Sequence, residues 1–301
     1  MSVDIKKIEE NLTRSFDANS MFDSSNIGND NTVEDKIVLF AMKLSELVDE
    51  FDLSNFYKKL ETLQLQPLSK YSNKGFVEYD AINNVGYIST IPLEKDEENN
   101  FNVDNLFGQI MLMTAFSNDK YFGFGNEDKL SALNRAFTYM ISSNIFGCAR
   151  SNYCEEESTL LNKMSVMLKF NPQARVDFID AYFNNNGTIL KQELNELGID
   201  DSIFDQINHL SELKMSHVEV PERFGEIDNQ VNKAFAKLLS TLRSIDKSKV
   251  ASYMSNAFND GVLDYSDFGV ERVTDKMNTA IDFLTSKANN IENQKVVQKA
   301  T

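Results

Sequence analysis

Histidine and cysteine are scarce in this chain. Its 301 residues hold two histidines, His209 and His217, and two cysteines, Cys148 and Cys154. That scarcity bounds its metal chemistry, because a catalytic zinc takes three protein ligands and keeps a fourth position for water. The two histidines stand about two helical turns apart, so one helix could present both on a single face. The usual metal pair is i, i+4, and both read first as surface or satisfied helix positions. Cys148 and Cys154 are spaced C-x₅-C with no second pair, which fits neither a structural zinc site nor a thioredoxin-like motif. In a long chain without a signal sequence they read as reduced thiols. A cysteine nucleophile would need His209 or His217 as its base, and nothing in the spacing joins them.

Basic charge is also in deficit. Lysine plus arginine number 30 against 46 acidic residues, a net charge of −16. A duplex nucleic-acid binder needs a basic face to displace counterions, and this chain offers none. Adsorption to an anionic membrane is disfavoured for the same reason. No run of eighteen apolar residues exists, so no transmembrane helix is expected. The first ten residues carry Lys6, Lys7, Glu9 and Glu10 where a signal peptide needs an apolar stretch, which points to a cytoplasmic chain. There is no Walker-type loop. Gly123 and Gly125 lack a preceding strand of the right length and a phosphate-facing lysine, and no serine sits in a nucleophile elbow.

What the chain does hold is apolar periodicity, with 42% hydrophobic residues and 22 phenylalanines. Residues 1–31 are polar and read as a flexible arm after a short opening helix. With Thr32 as N-cap, Val33, Ile37, Phe40, Leu44, Leu47, Val48 and Phe51 recur at helical steps. A second helix is predicted from Asn55 to Leu65, closed by Pro67. Phe76–Asp80 and Val85–Ile91 alternate around the asparagine-rich turn 81–84 and predict a hairpin. An acidic linker, 94–100, leads to helices at 103–117 and 133–140, joined through the glycine-rich turn Tyr121–Gly125.

Further helices are predicted at 153–170, 176–182, 189–197, 228–246 and 270–288, with a frayed tail over 289–301. The apolar stripes of the last two long helices read as core, or as a small module that meets a partner. The fold class is α+β, predominantly α-helical. Residues 182–193 can be counted as a calcium loop, with Asn184, Asn186 and Glu193 in acceptable places, but Tyr182 stands at its leading position. A second partial loop at 256–268 is no closer. An asparagine-glycine turn between two helices is the expected reading.

The helix Asn105–Ala115, the glycine turn and the helix Leu133–Met140 resemble the two-helix core of gluzincin-type, zincin-like metallopeptidases. There, H-E-x-x-H sits on the first helix and N-E-x-x-T on the second. On that resemblance Gly108 and Leu112 stand at the histidine positions, Gln109 at the general base, and Arg135 at the third ligand. Glycine and leucine have no side-chain lone pairs, glutamine takes up no proton near neutral pH, and arginine carries a permanent positive charge.

The resemblance implies a degenerate zincin-like domain over 32–200: a small sheet or hairpin plus two core helices. A helical extension follows over 201–288. It further implies that the strand beside the vacant site is an edge able to receive an extended peptide, with Val85, Tyr87 and Ser89 as candidate binding residues. The function expected is that of a pseudopeptidase, a binding or scaffold protein with a protein or peptide partner, no catalytic residue, no metal and no cofactor. Two alternatives stand beside it. One is a hydrolase or metalloprotein built on His209, His217 and carboxylates; the other is an architectural α-rich interaction protein.

Overall fold

The computed structural model describes residues 4–18, 33–48, 51–68, 77–89, 103–118, 120–146, 154–169, 171, 173–219 and 223–259. The expected acidic linker 94–100, the helix 270–288, the tail 289–301 and most of the second partial calcium loop lie outside them. The described elements run α1 (Ile5–Ala18), α2 (Val33–Leu47), α3 (Leu53–Thr62), β1 (Gln64–Leu68), β2 (Val77–Asp80), β3 (Val85–Ser89), α4 (Val103–Ala115), α5 (Ser131–Phe146), α6 (Glu155–Lys169), α7 (Phe178–Phe183), α8 (Gly187–Glu196), α9 (Asp201–Glu219) and α10 (Phe224–Asn259). The protein is therefore α+β and predominantly α-helical, with one small three-stranded sheet. Among the described residues no helix is long and apolar enough to cross a membrane.

The opening helix is present, and residues 19–31 of the expected arm lie outside the described residues. That helix, Ile5–Ala18, is amphipathic, and its Ile8 and Leu12, one turn apart, are fully buried. Asn11 Nδ2 donates to Leu63 O at 2.9 Å and so ties α1 to the entrance of β1. Polar composition concealed its docking, because a helix needs only one apolar stripe to pack.

Helix α2 buries Val33, Ile37, Phe40 and Leu44 of its predicted stripe, while Leu47, at its end, is exposed. In α3 the Asp52 side chain accepts from Asn55 N at 2.9 Å, a regular N-cap. That helix stops earlier than expected: Leu63 turns extended, and Gln64–Leu68 becomes strand β1 instead of a last helical turn. Leu65 enters the core while Gln64 and Gln66 face out, a period of two that two residues of helix pattern had masked. Pro67 is tolerated because β1 lies at the sheet edge, where a missing donor leaves no gap in the ladder.

The strand order is β1-β3-β2, with β3 parallel to β1 and antiparallel to β2. The β2–β3 hairpin closes as expected. Asp80 Oδ1 accepts from Ile82 N at 2.9 Å and Asn83 N at 3.1 Å, and Asn84 takes φ 53°. Helix α4 lies on the face formed by Leu65, Gly86 and Ile88. A Cβ at Gly86 would stand 2.8 Å from Ile110 Cδ1 and 3.0 Å from Leu65 Cδ2, so glycine sets the distance between helix and sheet.

Two compact units divide the chain, Met1–Val250 and Ala251–Thr301. Residues 201–250, the larger part of the expected helical C-terminal extension, belong to the first. Helix α9 packs on α5, and Ile227, Val231, Leu238 and Leu242 of α10 are buried. Of the second unit the described residues are the last turns of α10, which runs well past the expected end at 246.

Candidate functional site at the paired helices α4 and α5

Helix α4 is buried on every side from Leu106 to Thr114, the pattern of a central core helix rather than a surface one. Gly108, Gln109 and Leu112 all fall in this stretch; Gln109 keeps 7% exposure and Leu112 none. A fully buried leucine contributes about 1.5–3 kcal/mol by leaving water, so apolar packing is what this turn of the helix supplies. No side chain at 108 or 112 can donate an electron pair to a cation.

The turn after α4 is built around residues of the second motif. Gly123 and Gly125 take φ 58° and 78°, and Asn134 Oδ1 accepts from Phe124 N at 3.1 Å. A Cβ on Gly123 would run into Asn134 Oδ1 and come within 2.7 Å of Tyr182 Cε2. Thr138 Oγ1 donates to Asn134 O, which leaves the Tyr182 hydroxyl to donate to Thr138 at 2.7 Å. Burial pushes the Tyr182 phenol far above its ordinary value, with Thr138 opposing. Phe124 and Phe137 pack against the same ring, at centroid distances of 5.5 Å and 4.8 Å. Asn134 and Thr138 thus serve as struts.

Arg135 turns toward α9. Its Nη2 donates to Ser211 Oγ at 2.9 Å. Beside it Lys214 pairs with Glu156 and, at 2.7 Å, with Glu157 Oε2, while Cys154 is buried and free. Burial drives the Cys154 thiol well up; the Glu157 charge adds to the shift, and Lys214 and Arg135 oppose it. Cys154 is accordingly a packed thiol, as its reduced reading implies. Cys148 lies outside the described residues.

The edge-strand reading of Val85, Tyr87 and Ser89 is overturned. Strand β3 is the centre of the sheet, paired through Val85↔Gln64 and Ser89↔Leu68 on one side and Tyr87↔Glu78 on the other. Its backbone groups are taken by β1 and β2, and the pleat turns Val85 and Tyr87 away from the face that α4 covers. The hairpin's length and alternation gave no sign that β1 would occupy the far side.

His209 is exposed, with Nδ1 3.8 Å from Glu212 Oε2, and both histidines belong to α9. Among the described residues no group of three or more His, Cys, Asp or Glu side chains is placed to hold a metal ion. Within 182–193, residues 184–186 form the asparagine turn between α7 and α8, and Gly187 opens α8. Tyr182 points into the core, and Glu193 accepts from Arg175 Nε at 2.5 Å.

Two polar clusters escaped sequence reasoning because their members are far apart in the chain. Asn185, at φ 54°, donates to Phe116 O at 3.0 Å and Gly123 O at 2.8 Å and accepts from Asn118 at 2.9 Å. Gly187 N donates to Phe124 O, so the glycine turn and the α7–α8 turn interlock. At the end of α4, Lys59 Nζ donates to Ser117 O and, at 3.1 Å, to its Oγ, a cation closing a helix C-terminus. Tyr79 completes this cluster by donating to Asn84 Oδ1 at 2.7 Å. Burial raises the Tyr79 phenol above its ordinary value.

Comparison with protein-family models, with curated proteins and with solved structures finds no match to the chain.

Proposed function

We propose that the protein is a non-catalytic zincin-like protein, a pseudopeptidase scaffold that acts by binding a protein or peptide partner. The observation that carries this reading is the packing of α4 against the sheet and α5, with Gly108, Gln109 and Leu112 buried at the positions the resemblance assigns to metal and base. Asn134 and Thr138, the two motif positions with structural work, keep that work. The partner surface of this reading is not strand β3.

Metal analysis of protein purified without a histidine tag tests it. Sub-stoichiometric zinc is expected, and one zinc per chain overturns the proposal. A combined variant, Gly108→His with Gln109→Glu, Leu112→His and Arg135→Glu, probes the scaffold from the other side. Zinc uptake by that variant is expected if α4 and α5 hold the zincin arrangement, and a folded variant that takes up none counts against it.

A further inference from the structure

We propose that Asn186 and Gly187 form a modification site, a self-reacting pair whose deamidation the interlocked turns hold back and their parting releases. The site owes nothing to the zincin-like reading. It is the single Asn-Gly pair in the sequence. In the reaction the Gly187 nitrogen attacks Asn186 Cγ, the Cγ–Nδ2 bond breaks, and ammonia leaves with the proton that the nitrogen gave up. Water then opens the succinimide ring. Cleavage at Cγ leaves aspartate in an ordinary backbone. Cleavage at the main-chain carbonyl leaves isoaspartate, whose chain runs through the side chain and is longer by a methylene.

The attack needs the peptide plane between Asn186 and Gly187 to turn and its N–H to come free. Both ends of that plane are held. Gly187 N donates to Phe124 O at 3.1 Å, and Asn186 O accepts from Leu190 N at 3.0 Å. The glycine loop pins it from outside the turn, and the first turn of α8 pins it from within. Asn186 is half-buried and its side chain makes no capping hydrogen bond to α8. Glycine is required at 187 because a Cβ there would run into Phe124 O. The side chain given up for that approach is the one that would shield the nitrogen, so close packing and the reactive pair come together. Reaction therefore waits on opening of the interlock, whose other fastening is Asn185 to Phe116 O and Gly123 O. Once isoaspartate forms, the lengthened backbone cannot restore the approach of Gly187 to Phe124, and the opening becomes permanent.

The test incubates the full chain at mildly alkaline pH, folded and in urea, and follows Asn186 by peptide mapping with mass spectrometry. Conversion to aspartate and isoaspartate is expected in urea, and at least about tenfold more slowly in the folded parent. Asn185→Ala, which removes the adjoining fastening, is expected to speed conversion of the folded chain about tenfold or more and to leave the rate in urea almost unchanged. Hydrogen exchange at Gly187 N–H, followed in the parent at sub-denaturing urea, should rise in step with conversion, and this measurement does not depend on the variant folding. Equal rates in the folded and urea-unfolded parent, or no conversion in urea, overturn the proposal. So does a folded Asn185→Ala that reacts no faster than the parent, or Gly187 exchange that rises without conversion.

Discussion

Asn185 combines a left-handed backbone with three side-chain hydrogen bonds to two other segments. Asn185→Ala removes all three and keeps the strained φ, and the expected loss is about 2–4 kcal/mol by urea unfolding. Asn185→Gly relieves the backbone and should recover about 1 kcal/mol of that, which separates the two effects. Cys154 supplies the pH dependence. Its thiol is raised in the folded state, so the folded protein holds a proton that the unfolded chain releases first. Stability is then full below the ordinary thiol range and falls as pH rises through it, by about 1.4 kcal/mol per unit above pH 9. Urea midpoints at rising pH should show this slope in the parent and a shallower one in Cys154→Ala. An identical slope in both would remove Cys154 from the account.

Glycines decide how the elements approach one another. At Gly86 an added methyl meets the flexible end of Ile110, and Gly86→Ala is expected to lose about 1–3 kcal/mol. At Gly187 the same methyl meets the backbone carbonyl of Phe124, which has less room to give, so Gly187→Ala should lose more. Gly225, near the start of α10, has nothing within 4 Å, and Gly225→Ala should gain about 0.5–1 kcal/mol from helix propensity. Thermal unfolding of the three variants tests that ranking. Elements were legible in the sequence where a stripe ran long enough to fix its own period: α2 from Val33 to Leu44, α6 from Leu160 to Leu168, and the hairpin around its asparagine turn. Strand β1 was not, because Leu65 continues the helical spacing of α3 until Leu63 turns the chain. In the candidate site, residue identities at 108, 109, 112 and 135 could be read directly. The direction of Arg135 could not, since Ser211 lies 76 residues away.

At the scale of the whole molecule, the N-terminal residues are part of the packed body. Ile8→Ala is expected to lower stability by about 2–5 kcal/mol, a core penalty, whereas a free arm would show no change. Removing residues 1–18 should lower the urea midpoint further, since Ile8, Leu12 and the Asn11 tie to Leu63 leave together. The same scale explains what single-sequence reading missed about strand β3. Its neighbours were the hairpin partner, set by a local turn, and β1, set only by the return of the chain across the sheet.

The interlocked turns also bear on how the chain reaches this arrangement. Asn185 joins groups 62 and 69 positions earlier, whereas α4 and α5 are neighbours in sequence. Closing the longer loop requires more chain entropy to be surrendered before any contact repays it. The helix pair should therefore assemble first and the Asn185 bolt engage after the rate-limiting barrier. In a chevron plot Asn185→Ala should then accelerate unfolding in proportion to its lost stability and leave the refolding arm almost unmoved.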